Sequence, residues 1–167
     1  LPIYAPVIVS IAGENQADYV GIAKRLDACF GVAALELNIS CPNVAHGVDF
    51  GSNPELCEQV VRDVREHCAL PILTKLTPNV TNIVELATAA AAGGTDAVCL
   101  TNTLLGMAVD WRKQRPMLGN NVGGLSGPAI KPVSLRCVYQ VAQAVDIPIV
   151  GIGGIANIND CMEFFVA

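Results

Sequence analysis

Cys41 stands between two carboxamides, Asn38 and Asn43, where an alternating stretch runs into Pro42. Leu35, Leu37 and Ile39 alternate with Glu36, Asn38 and Ser40, a period of two that reads as a strand with two unlike faces. Pro42 cannot donate to a ladder and pushes Cys41 toward extended backbone, so the strand stops there. A thiol at such a polar edge ionises more readily than one in an apolar core, which suits it to accept a proton. Each asparagine offers both a donor and an acceptor, enough to read a ligand that carries both. Taken alone, a cysteine beside a turn is more often a packing residue. The flanking amides and the other polar strand ends reverse that reading. Lys75 and Asn102 sit at strand ends like that of Asn38, and Ser10 and Gly153-Gly154 occupy similar places. His46, in the loop behind Cys41, has no evident partner and reads as solvated.

The elements that must position these groups follow in a regular order. Pro6 to Ile11 is a strand, followed by an amphipathic helix from about Asn15 to Phe30 with Tyr19, Ile22, Ala23 and Leu26 on one face. Ala33 to Ser40 is the second strand. The polar loop from Cys41 to about Asn53 is long enough to be a lid. Asn53 caps a helix with Pro54 at its first position and Val60, Val61 and Val64 inward. Pro71 to Leu76 is a strand, Thr81 caps a helix through Ala92, and Asp96 to Asn102 is a strand. Thr103 to Gly127 is irregular, with a small excursion. A helix from about Pro132 to Ala144, a strand from Ile147 to Gly151 and a helix capped by Asn157 or Asn159 complete the order. Five β-α units with no sign of hairpin pairing imply a parallel α/β fold. Both a doubly wound sheet and a (β/α)8 TIM barrel are open on this pattern. The polar strand ends favour the barrel, whose sites gather at the C-terminal ends of several strands. A dinucleotide fingerprint is missing, because the first strand ends in Ala12-Gly13-Glu14. Gly151-Ile152-Gly153-Gly154 resembles a phosphate-binding turn.

Composition narrows the classes. Of 167 residues, 52% are hydrophobic and 15% charged, which suits buried parallel strands under helices. A net charge of −5 with no dense basic run speaks against nucleic acid or an anionic membrane as partner. No apolar run approaches the roughly 18 residues of a membrane span. The seven cysteines have no C-x-x-C spacing, so zinc and iron–sulfur sites are unsupported and reduced thiols in a cytoplasmic protein are the simpler reading. The six cysteines other than Cys41 read as packing residues.

Five stretches together carry a resemblance: ELNISCPNV from Glu36, KLTPNV from Lys75, TNTLLGM from Thr101, GGLSGPAIKP from Gly123 and GIGGI from Gly151. The chain resembles the dihydroorotate dehydrogenases over essentially its whole length, and within them the class 1B catalytic subunits. The resemblance implies a (β/α)8 barrel with FMN at its C-terminal face, and oxidation of dihydroorotate to orotate in pyrimidine biosynthesis. It implies Cys41 as the base that takes the C5 proton, with hydride passing from C6 to FMN. Asn38, Asn43, Asn102 and Thr103 fall on substrate positions. Ser10, Asn38, Lys75, Thr101, Gly127, Gly153 and Gly154 fall on flavin positions. Lys75 lies where a fixed cation would stabilise the reduced flavin. Class 1B further implies a homodimer and a separate subunit carrying FAD and a [2Fe–2S] cluster that passes electrons to NAD+.

Two rivals share parts of this pattern: a dihydropyrimidine dehydrogenase-type FMN barrel acting on uracil or thymine, and a non-redox phosphate-binding barrel. Five strands are fewer than the eight a closed barrel needs. The expectation is therefore a single partial barrel over residues 1–167, holding strands three to seven in an open arc, with strands one, two and eight elsewhere.

Overall fold

The computed structural model describes residues 5–40 and 50–167. Cys41, Asn43 and His46, and most of the expected lid, lie outside the described residues.

β1 (Val7–Ile11) leads into α1 (Gln16–Asp27), which Asn15 caps in a box with Asp18. β2 (Val32–Asn38) follows, then α2 (Pro54–Arg65), β3 (Ile72–Leu76), α3 (Ile83–Ala92) and β4 (Ala97–Leu100). An excursion holds four short strands: β5 (Leu104–Gly106), β6 (Val109–Asp110), β7 (Arg115–Pro116) and β8 (Gly123–Leu125). A 3-10 turn (Pro128–Ile130) runs into α4 (Lys131–Ala142), then come β9 (Ile149–Gly151) and α5 (Ile158–Val166).

The main sheet is parallel with order β1-β2-β3-β4-β9, so sheet order follows chain order. Each helix packs on the next, α1 on α2, α2 on α3, α3 on α4 and α4 on α5, so all five lie on one side of the sheet. A doubly wound sheet reverses its order and places helices on both faces. This one does neither. It is an arc of a (β/α) barrel, helices outside and the other face turned inward.

The core lies between sheet and helices. Leu35 and Leu37 of β2 and Ile72 and Leu76 of β3 are fully buried against Val60, Val61 and Val64 of α2 and Leu86 of α3. The valines recur at helical spacing, and α2 starts where expected, with the Asn53 side chain accepting from Leu56 N at 3.1 Å. Tyr19 and Ala23 bury the α1 face, with Ile22 and Leu26 packed at its margin.

Several boundaries differ from expectation for local reasons. Thr81 and Asn82 are both good caps, and Asn82 is the one used, accepting from Val84 N at 3.2 Å. Asn157 rather than Asn159 caps α5, through a box with Asp160. β4 stops at Leu100 instead of Asn102, though Asn102 N still donates to the Leu76 carbonyl of β3 at 2.9 Å. Antiparallel pairing, which the sequence did not suggest, occurs in the excursion: β5 pairs with β8 and β6 with β7. These ribbons are two or three residues long, too short for an alternating pattern to register, and β5 and β8 are rich in glycine. Cys57, Cys68, Cys99 and Cys137 are buried as expected, but Cys29 is exposed just past α1. It lies outside the helix that was expected to run to Phe30, and its thiol meets the Arg25 carbonyl at 3.2 Å.

Candidate functional site at the C-terminal edge of the sheet

Parallel partners in register place their side chains on one face, and the register here is informative. Ser10 is opposite Glu36, Asn38 opposite Lys75, and Lys75 opposite Cys99. Because Leu35 and Leu37 point outward to the helices, Glu36 and Asn38 point to the inner face. Ser10, Lys75 and Cys99 join them there.

At the upper edge of this face two amides meet. Asn102 Nδ2 donates to Asn38 Oδ1 at 3.0 Å, spanning the position of β3. Asn102 Oδ1 accepts from its neighbour Thr103 N at 2.9 Å. Each amide is held from behind. Tyr19 of α1 donates its hydroxyl to the Asn38 carbonyl at 2.8 Å and packs edge-on against Phe50, with ring centroids 5.9 Å apart. Asn79 holds the far side: its Nδ2 donates to the Thr103 carbonyl and its Oδ1 accepts from Leu105 N, both at 2.9 Å. Ser40 donates to the Lys75 carbonyl at 2.9 Å, tying the end of β2 to β3. The loops that follow β2, β3 and β4 are thus stitched together around Asn38 and Asn102.

Below the amides, Lys75 Nζ lies 3.3 Å from Glu36 Oε1. Ser10 donates its hydroxyl to the same oxygen at 2.7 Å. Lys75 was expected to be the charged group here, and Glu36 is a second. Its carboxylate was visible in sequence only as a polar residue on an alternating strand, and nothing in the pattern pairs it with Lys75. Ser10, one of the expected flavin positions, donates its hydroxyl to Glu36 in this structure. Cys99 lies beside this group and is no candidate base, since burial, with Glu36 adding to it, pushes its thiol up to about 12. Cys57 is likewise pushed up to about 12 by burial.

A second cluster of expected residues lies at the turns after β8 and β9. Gly127 has φ +88° with open space where a Cβ would stand. Gly154 has φ +75°, and a Cβ there would lie 2.8 Å from Lys131 N and 2.9 Å from the Gly127 carbonyl. Only glycine allows these two turns to touch. Thr101 is buried, its hydroxyl 3.0 Å from that of Ser134 in α4, and its N donates to the Ile152 carbonyl at 2.9 Å. Lys131 reaches across to α5, where its Nζ is 2.6 Å from Asp160 Oδ1 and 2.8 Å from Glu163 Oε2. The hydrogen bond from Lys131, aided by the Ala156 amide, holds the Asp160 carboxyl below its ordinary range, and that bond in turn raises the Lys131 ammonium.

These residues fit FMN, the group the resemblance implies. The start of the 3-10 turn and α4 has no side-chain cap, and glycine turns border it. Lys75 supplies a fixed cation, and the two amides supply donors and acceptors for a polar ring.

Comparison with known proteins bears on the same point. The family described as dihydroorotate dehydrogenase matches residues 2–167. The dihydroorotate dehydrogenase B (NAD(+)) catalytic subunit of Desulforudis audaxviator is 55% identical over 163 residues, 97% of this chain and 53% of that protein. The protein of the same name from Alkaliphilus oremlandii is 56% identical over 162 residues, 96% of this chain and 53% of its own length. The chain thus spans about half the length of the curated relatives it matches. The crystal structure of an Eimeria tenella DHODH in complex with ferulenol superposes with a TM-score of 0.71 at 19% identity, over 89% of this chain and 45% of that one. At that identity it speaks for the fold alone.

Proposed function

The chain belongs to the dihydroorotate dehydrogenase family, and we propose that the complete protein oxidises dihydroorotate to orotate in pyrimidine biosynthesis. The observation that carries this reading is the Asn38–Asn102 amide pair, bonded at 3.0 Å across the edge of the sheet with Lys75 in register beneath it. Such a pair reads a planar ring bearing alternating N–H and C=O groups. We take the chain as strands three to seven of an eight-stranded barrel.

FMN, when bound, supplies the acceptor for the hydride from C6 of the substrate. The rest falls to this chain. Cys41 takes the C5 proton as a thiolate, a role resting on its place in sequence between Asn38 and Asn43. Asn38, Asn43, Asn102 and Thr103 orient the ring and its carboxylate. Asn38, Lys75, Thr101, Gly127, Gly153 and Gly154 hold FMN, the glycine turns at its phosphate and Lys75 at its ring. Ser10 belongs to the same FMN-binding set, its hydroxyl lying beside Glu36 and Lys75. Electrons leave through a separate FAD and [2Fe–2S] subunit to NAD+, in keeping with the "B (NAD(+)), catalytic subunit" of the relatives' names. A homodimer in the cytoplasm completes the reading. Among the described residues no helix is long and apolar enough to cross a membrane.

The test is the visible spectrum of the full-length protein, recorded without oxygen before and after adding dihydroorotate. A flavin spectrum that bleaches supports the reading. A colourless protein overturns it, and bleaching by NADPH reversed by uracil but not by orotate moves it to the dihydropyrimidine class.

A further inference from the structure

Among the described residues the inner face of the sheet carries one charge pair, and its geometry is specific. Glu36 Oε1 is shared by two donors from the strands on either side, Ser10 Oγ of β1 at 2.7 Å and Lys75 Nζ of β3 at 3.3 Å. The two side chains are 14% and 22% exposed, so each has given up most of its water and depends on the other. From β4 the facing group is the protonated Cys99 thiol. Among the described residues Lys75 is therefore the only cation that meets Glu36, and Glu36 the only carboxylate that meets Lys75.

We infer that Glu36 is a positioning residue for Lys75: it fixes the ammonium below the Asn38–Asn102 pair and sets the net charge that Lys75 presents to the flavin. The inference rests on the reading of Lys75 given above and deepens it. A lone lysine at this level would add a full positive charge beside a ring that gains negative charge on reduction. Paired with Glu36, it presents the ammonium end of a near-neutral pair, with the direction fixed by two strands and Ser10. The pair is also mutually dependent. Removing either partner leaves the other charge partly buried without its counter-charge.

That dependence gives a test in full-length enzyme carrying FMN, read as flavin midpoint potential and FMN dissociation constant. Lys75→Met is expected to shift the potential negative. Glu36→Gln keeps the shape and removes the charge, and is expected to shift it positive by at least tenfold in the reduction equilibrium, about 30 mV for a two-electron couple. Glu36→Asp keeps the charge and should stay near wild type. In the Lys75→Met background Glu36→Gln should shift the potential clearly less, since no ammonium is left there for the carboxylate to hold. A shift of equal size in both backgrounds, no shift at all from Glu36→Gln, or an Asp variant that moves as far as Gln overturns the inference alone. A Lys75→Met protein with unaltered potential and FMN affinity removes Lys75 from the flavin, and so overturns both the assignment and the inference built on it. If Glu36→Gln yields no folded holoenzyme, the charge-free double variant Glu36→Gln/Lys75→Met should restore it, and its failure to do so counts against the pairing.

Discussion

Asn102 works in two directions: its Nδ2 reaches Asn38 and its Oδ1 holds the amide of Thr103. Replacing it with alanine would remove the proposed ligand contact and free the loop that presents Thr103. With each hydrogen bond contributing about 1 kcal/mol, the KM for dihydroorotate should rise about tenfold or more in the full-length enzyme, with FMN retained. An unchanged KM would mean that the pair is structural. Cys41→Ala should keep FMN and lose roughly 10²- to 10⁴-fold in the rate of flavin reduction by dihydroorotate, followed by stopped flow. The buried thiols cannot replace it, since burial pushes both Cys57 and Cys99 up to about 12. At this scale the sequence was legible wherever a polar residue interrupted an apolar strand, as with Asn38 and Lys75. Glu36 escaped because its importance lies in a partner 39 residues away, and sequence spacing does not report register between strands. Asn79 escaped for a similar reason. In sequence it closes a strand, and only the fold shows it bonded to Thr103 and Leu105.

Elements add their own constraints on the site. β2 delivers Glu36 and Asn38 inward because Leu35 and Leu37 are wholly buried outward. Leu37→Ala should cost about 3 kcal/mol through the cavity left against α2 and α3, and denaturant unfolding of the full-length protein would measure it. At the other end, Lys131 of α4 grips Asp160 and Glu163 of α5, and Asp160 also closes the cap of α5 by accepting from Asn157 N at 3.1 Å. The signs of their shifts define a pH window. Asp160 is lowered from its ordinary 3.8, so its contribution is present above that value and is lost as pH falls through the lower folded-state value. Lys131 is raised from 10.5, so its contribution is present below that value and is lost as pH rises through the higher one. Asp160→Asn should therefore lower stability across the neutral plateau and converge with wild type at strongly acid pH, as read by denaturant midpoints at a series of pH values. A difference that persists undiminished in acid would place the effect in packing. The helices were legible because their caps and apolar faces are local in sequence. The excursion between β4 and α4 was not, since two- and three-residue ribbons are set by contacts with β3-loop residues such as Asn79.

At the scale of the molecule, strand order decided what composition and element order left open. Five parallel strands in chain order with every helix outside make an arc, and in the described sheet β1 and β9 each pair on one side only. The inner face then meets no opposing strands, which is why Ile8 and Val150, side chains that a closed barrel would bury, are 54% and 40% exposed. Open strand edges beside apolar surface recruit further strands, from the same molecule or from another copy. The relatives matched by this chain are about twice its length, and a closed (β/α)8 barrel needs eight strands in about 250 residues. The 167 residues expressed alone should accordingly associate into oligomers or aggregates and hold no FMN. The glycine turns around Gly127 and Gly154 would still form, but the site would be walled on one side only. Size-exclusion chromatography with light scattering and a visible spectrum would read both outcomes in one experiment. A monomeric, yellow 167-residue protein would show that the arc closes its own edges, and would overturn its placement as strands three to seven of a larger barrel.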